Sequence, residues 1–220
     1  MRRLSVMIAV MGLLLGLTGA GPAAARGDTA TDPTQPVSLR LHRQWMHWAF
    51  GSSSAPLLDP EFCGEQVGDT FFLTLAGGVA ADDKRHIHCD IPSGVPILAP
   101  IGGTIVWSNT QTDQEMHDDC FALLRRLIVR SVHVRLDGVE LDHEPLVAPD
   151  PYNLHLEPGN LIQRVDPSIV GDTVRLAEGW YFAKLAPLAP GHHVIVASDK
   201  FDLRRVGVVH YRTEFSVDVA

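Results

Sequence analysis

From Val209 to Val219 the chain alternates without a slip. Val209, Tyr211, Thr213, Phe215, Val217 and Val219 fall on one side, and His210, Arg212, Glu214, Ser216 and Asp218 on the other. Side chains two apart in an extended chain share a face, so the segment predicts a strand with one buried and one wet face, as in an antiparallel sheet. A second clean alternation sets Val132, Val134 and Leu136 against Ser131, His133 and Arg135, followed by Asp137-Gly138. That dipeptide between alternating runs predicts a two-residue hairpin turn, with Val139 and Leu141 resuming the inner face. Shorter apolar runs bounded by Gly and Pro predict strands at Thr70 to Leu75, Arg85 to Ile91, Val95 to Ile101 and Thr104 to Ser108. Thr173 to Leu176, Trp180 to Leu185 and His192 to Ala197 read the same way.

Two segments change period. Ser38 can cap a helix running to about Phe50, with Leu41, Trp45, Trp48 and Ala49 on one face. Two tryptophans at that spacing read as a core-facing stripe ahead of a sugar platform. Asp113 can cap a second helix, where Met116, Cys120, Leu123, Leu124 and Leu127 form the apolar stripe. Residues 144–171 hold five prolines and no period, which predicts a long loop. Such a loop, with exposed aromatics such as Tyr152, is the natural recognition surface. Residues 38–220 therefore predict a single all-β domain, a sandwich or jelly-roll-like stack of antiparallel strands with two short helices. Residues 26–37 are polar and predict a disordered leader to it.

The amino terminus adds a compartment. Met1-Arg2-Arg3 precedes an apolar run from Leu4 to Leu17, and Ala23-Ala24-Ala25 supplies the small residues that a signal peptidase needs. The run is too short to span a hydrocarbon layer of about 30 Å, so residues 1–25 predict a cleaved signal peptide rather than an anchor. With no Cys beside that run and no second apolar span, the mature chain is expected in solution, secreted or periplasmic. Removing residues 1–25 leaves 16 Lys and Arg against 26 Asp and Glu, a formal charge of −10. That balance repels phosphate backbones and argues against nucleic acid; the expected partner is an extracellular ligand or an envelope component. In an oxidising compartment two of Cys63, Cys89 and Cys120 can pair, leaving one over. Cys120, on the apolar stripe of its helix, reads as a buried inert thiol.

Three blocks of the chain belong together. The first is Trp45-x-x-Trp48-x-Phe50, Pro56-Leu57-Leu58-Asp59, Cys63 and Gln66-x-Gly68 before Phe71-Phe72-Leu73. The second is Cys89-x-Ile91-Pro92-x-Gly94 with Ile97 and Pro100-Ile101, and the third runs from Gly179-Trp180-Tyr181 through Pro187-Leu188-x-Pro190-Gly191-x-His193-x-Ile195. Together they resemble a family of exported bacterial proteins with no assigned activity. The third block is also similar to the closing strands of bacterial immunoglobulin-like sandwiches. The resemblance implies an exported all-β module and a disulfide between Cys63 and Cys89. It brings no catalytic residues, and neither His86 and His88 nor the cluster Asp142-His143-Glu144 belongs to its pattern.

Eleven histidines raise the question of a metal. In a strand His86, His88 and Asp90 line up opposite Ile87 and Cys89, and imidazoles at that spacing suit Zn²⁺, Cu²⁺ or Ni²⁺. A third imidazole can come from His192 or His193, which gives a candidate set of His86, His88, Asp90 and His193. His-x-His also opens the cupin metal motif, but Pro92-Ser93-Gly94 stand where that motif needs its glutamate. His117-Asp118-Asp119 lies in a predicted helix, where adjacent residues diverge. No Gly-x-Ser-x-Gly elbow is present, and nothing selects a catalytic pair among the many acids. The expectation is a secreted non-catalytic binding or structural module without a cofactor. The alternative is an extracellular enzyme using a divalent transition metal at His86 and His88.

Overall fold

Two kinds of strand share the chain. Thr70–Leu73 is buried at every position and Ile97–Trp107 at all but one, whereas Lys84–Ile91 buries only alternate residues from Ile87 onward. The difference is explained by layers. The computed structural model describes residues 34–35, 37–54, 56–75, 84–127, 131–147, 150–203 and 207–220; the leader at 1–25 and the segment up to residue 33 lie outside them.

In chain order the elements are β1 (Thr34–Gln35), α1 (Leu39–Met46), β2 (Gly64–Val67), β3 (Thr70–Leu73), β4 (Lys84–Ile91) and β5 (Ile97–Trp107). Then come α2 (Asp113–Leu127), β6 (Ser131–Leu136), β7 (Val139–Glu140), β8 (Glu144–Val147), β9 (Tyr152–His155) and α3 (Leu161–Val165). The long strands β10 (Thr173–Leu185), β11 (Gly191–Leu203) and β12 (Gly207–Val219) close the chain. The larger sheet runs β1-β10-β5-β3-β2, with β8 and β9 also paired to β10. The smaller runs β4-β12-β11-β6-β7. Its inner residues, among them Ile87, Cys89, Ile195, Ala197, Phe215 and Val217, pack on Phe71, Leu73, Ile97, Ala99 and Ile101 of the larger sheet.

The other face of the larger sheet is covered as well. Leu41, Trp45 and Met46 of α1, with Leu161 and Ile162 of α3, pack on Phe72, Leu98, Ile105, Leu176, Trp180 and Phe182. The larger sheet is thus the middle layer, apolar on both sides, while the smaller sheet keeps its outer face wet. At one end α2 packs Met116 and Cys120 on Val106 and Ala177. Burial pushes the Cys120 thiol up to about 12, aided by the negative charge of Glu178, so it stays protonated and unreactive.

The all-β sandwich expected from the pattern is present, and several details differ. There are three short helices, and β3–β5 and β4–β12 pair in parallel. Thr112 rather than Asp113 caps α2: its amide donates to Glu115 Oε2 (2.9 Å), while the Glu115 amide donates to its hydroxyl. Asp113 pairs instead with Arg175. The turn at Asp137-Gly138 takes positive φ at both residues, as a two-residue hairpin demands, but Val139 lies exposed and only Leu141 returns inside. Residues 144–171 form β8, β9 and α3 rather than a long loop, and bury Leu154, Leu156, Leu161, Ile162 and Ile169. Among the described residues no helix is long and apolar enough to cross a membrane.

Cys63, just before edge strand β2, is bonded to Cys89 in edge strand β4, with 5.6 Å between Cα atoms. The bond staples the two sheets along one side, and closing a loop of 26 residues contributes about 3 kcal/mol in the chain-entropy model. On β5 two glycines admit bulky neighbours. A side chain at Gly103 would collide with the Trp180 ring in register across from it, and one at Gly102 with the carboxylate of Asp199.

That carboxylate lies on the inner side of β11, buried, with Oδ1 lacking a hydrogen-bond partner among the described residues. Burial raises its pKa well above the ordinary Asp value, so the folded chain holds the proton more tightly than the unfolded chain. Stability from this group is complete below pH ~4 and falls as pH rises towards the folded pKa. Asp199→Asn removes the slope. Its melting temperature, followed by circular dichroism, should match or trail the parent at pH 3.5 and exceed it at pH 8; parallel curves would contradict this assignment.

Candidate functional site

Helix α1 is amphipathic with an unusual end. Ser38 caps it, its hydroxyl accepting from the Leu41 amide at 3.2 Å. Leu41, His42, Trp45 and Met46 turn inward, which leaves Arg40, Arg43, Gln44 and His47 as an outer stripe at i, i+3, i+4 and i+7. From His47 to Gly51 the backbone widens into a π turn, which buries Trp48, Ala49 and Phe50. Single π turns of this kind occur frequently at functional sites.

The segment after β9 is tied to this turn. The Glu157 amide donates to the Gly51 carbonyl at 2.8 Å, and the Ser53 amide donates to Glu157 Oε2 at 2.9 Å. A Cβ at Gly51 would lie 2.4 Å from the His155 carbonyl, so glycine alone permits the approach. The His155 and His47 rings stack, 8° from parallel, with centroids 6.1 Å apart. The Ser53 amide, then its hydroxyl, then the nearby His47 and His155 hold the Glu157 carboxyl below the usual range.

These pieces enclose an open groove of about 760 Å³. Leu39, Trp48 and Val67 supply its apolar surface; Arg40, Arg43, Gln44 and His47 form one wall, and Glu65 and Glu157 lie across from them. The acidic wall is already engaged, because Glu65 accepts from the Trp48 indole N–H and Glu157 from Ser53. On the basic wall His47 Nε2 lies 4.0 Å from Glu157 Oε1, but the arginines have no such acid among the described residues. Arg40 has no polar partner among the described residues, and Arg43 lies over the Tyr152 ring at 4.5 Å with its Nε lacking an acceptor.

Beneath Arg43 lies a buried polar contact. Glu178, on the face of β10 that meets α1, accepts from the Tyr152 hydroxyl at 2.5 Å, and its other oxygen lies 3.3 Å from His42 Nε2. Both His42 and Glu178 are fully buried, so the contact fixes how α1 seats on the sheet. Burial, then the Glu178 charge, drives the Tyr152 pKa upward and keeps the phenol protonated. Tyr152, expected as an exposed recognition aromatic, is instead half-buried and engaged.

The residues expected to hold a metal are elsewhere, on the smaller sheet. His86, His88 and Asp90 do point outward from β4 while Ile87 and Cys89 point in. His88 and Asp90 come together with Asp218 of β12, their ligand atoms all within 4.8 Å of one another. His86 stands one rung away, 3.4 Å from Glu214. His193 is not part of the cluster. Its Nδ1 meets Asp137 at 2.8 Å and its Nε2 meets the Ala189 carbonyl at 2.9 Å; burial opposes protonation, but these bonds outweigh it and raise its pKa. The neighbour His192 reaches only the edge of the cluster, its Nδ1 2.8 Å from Asp218 Oδ1. Asp218 was visible on the polar side of the last strand, but nothing in the sequence shows that β4 lies beside β12. Asp142 is exposed and His143 Nδ1 lies 3.3 Å from the Leu141 carbonyl, while the side chain of Glu144 lies outside the described residues.

No protein-family model, no curated protein and no solved structure matches the chain.

Removing the Glu178 carboxylate strips the Tyr152 hydroxyl of its acceptor. At about 1–3 kcal/mol for a buried group left unpaired, Glu178→Ala should lose about that much in urea unfolding. Glu178→Gln keeps an acceptor and should lose less than half of that. Equal losses in the two variants would show that packing, not polarity, matters at this position.

Proposed function

We propose that the chain is an exported, non-catalytic binding module whose groove along α1 takes an acidic ligand with an apolar face. The signal-peptide layout of residues 1–25 supports export, and the Cys63–Cys89 bond is compatible with an oxidising compartment. One observation carries the ligand class: within the groove the carboxylates accept from the protein's own donors, while among the described residues Arg40 has no polar partner and Arg43 is held only over the Tyr152 ring, both beside Trp48. A carboxylate or sulfate satisfies such donors, in forked geometry where the guanidinium can be reached in plane. An apolar ring face or methylene edge covers the indole and Val67.

The acidic sugars of extracellular polymers combine both features. Two arginines on one stripe suit a short acidic ligand, and the chain's overall negative charge speaks against a long polyanion such as nucleic acid. The segment 144–171 contributes to recognition through Glu157, but as part of the folded core rather than as a separable loop.

Titration calorimetry with tetragalacturonate, a chondroitin sulfate tetrasaccharide and a neutral galactose tetramer tests the reading. At least one acidic probe should bind and the neutral one should not, and Arg40→Ala/Arg43→Ala should weaken the acidic probe by roughly tenfold or more, about 1 kcal/mol or so per lost ion pair. Equal binding of acidic and neutral probes, no binding by any probe, or indifference to the double substitution would contradict it.

A further inference from the structure

On the outer face of the smaller sheet, strand register brings two carboxylates side by side. Asp90 of β4 pairs with Asp218 of β12 across a parallel rung, and Asp218 pairs with His192 of β11 on its other flank. Like charges facing each other across strands destabilise a sheet. Here the acid pair is bracketed by imidazoles. His88 Nε2 lies 3.5 Å from Asp90 Oδ1 and 3.8 Å from Asp218 Oδ2, and His192 Nδ1 lies 2.8 Å from Asp218 Oδ1.

We propose that His88, Asp90 and Asp218 bind one divalent transition-metal ion, Zn²⁺ before Ni²⁺ or Cu²⁺ in an extracellular setting, with His192 holding the Asp218 carboxylate from its other flank, independently of the groove on the opposite side of the molecule. The spacing is the first argument. Ligands at ~2.0–2.1 Å around a tetrahedral ion are separated from one another by about 3.4 Å; the three ligand atoms lie within 4.8 Å of one another, with His88 at 3.5 Å from Asp90 and 3.8 Å from Asp218. The donor set is the second. An imidazole with two carboxylates suits Zn²⁺, Ni²⁺ or Cu²⁺, with water in the open position, whereas Mg²⁺ and Ca²⁺ prefer oxygen alone. Charge is the third: a dication neutralises the facing acids, which no Lys or Arg among these contacts does.

The setting says what kind of site this is. The three side chains are 49–86 % exposed on the outer sheet face, so an ion enters directly from solvent. The site is suited to capture or display of the ion rather than to turnover. It differs from the expected set by exchanging His86 and His193 for Asp218, and that exchange makes it testable.

The test uses the mature chain purified without an affinity tag, titrated calorimetrically with ZnCl₂ and, separately, MgCl₂. One Zn²⁺ per chain with micromolar or tighter affinity is expected, with Mg²⁺ at least a hundredfold weaker. His88→Ala/Asp218→Asn should weaken Zn²⁺ at least a hundredfold. His86→Ala/His133→Ala, which removes two exposed histidines from the same face but outside the cluster, should leave it unchanged. All four substitutions lie on the wet face and spare the core; should the first pair fail to fold, Asp90→Asn/Asp218→Asn replaces it and should lose Zn²⁺ likewise while relieving the acid–acid contact. Millimolar or substoichiometric Zn²⁺, or equal losses in the cluster and off-cluster variants, would overturn the proposal in favour of a diffuse histidine-rich surface.

Discussion

Trp45 of α1 is wholly buried against β10, its ring centroid 5.2 Å from that of Trp180 and 5.3 Å from that of Phe182. This contact turns the larger sheet from a surface into an interior layer. A tryptophan buries about 150–250 Å², so its removal from water stabilises by roughly 4–6 kcal/mol as an upper bound. Once Trp45 is seated, the helical period leaves no freedom in the rest of α1. His42 must meet Glu178, and Arg40, Arg43 and His47 must face outward. The groove is therefore a consequence of core packing rather than an addition to it.

The two candidate sites lie on opposite outer surfaces of a three-layer stack. Each depends on a different periodicity. The groove needs the helical repeat of α1 and the π turn that brings His47 beside His155. The cluster on the smaller sheet needs the strand repeat of β4, β11 and β12 in the observed register. A slip of one residue there would bury Asp90 and Asp218 and expose Ile91 and Val217, so the register is held by the same burial that shapes the core. Between the faces, Cys63–Cys89 joins the sheets at the edge where β4 would otherwise be tied only to β12.

Much of this was legible in the residues. The alternation through Tyr211, Phe215 and Val217, the Asp137-Gly138 turn and the inward stripe of Leu41, Trp45 and Trp48 each follow from local period, and each is found. Local reasoning stopped where partners are distant in sequence. Tyr152 to His155 is too short and too flanked by proline to announce a strand, and pairs with β10 only because Val174 and Leu176 already present an apolar face. The parallel pairing of β4 with β12 joins residues more than a hundred apart, so Asp218 could not be told from any other polar residue on a wet face. The π turn has no sequence signature beyond Gly51, whose missing side chain admits the His155 carbonyl.

The central claim is that the helical layer is integral to the sandwich: α1 and the larger sheet fold as one unit through Trp45. Native-state hydrogen exchange across a urea series addresses it directly. The amides of Trp45 and Met46 should open with the same free energy and the same urea dependence as those of Phe182 and Ala183 in β10, merging into the global unfolding isotherm. If α1 instead exchanges by a local opening more than about 3 kcal/mol below that isotherm, while β10 stays protected, the helix is a detachable cover and the account of the fold and its groove is wrong.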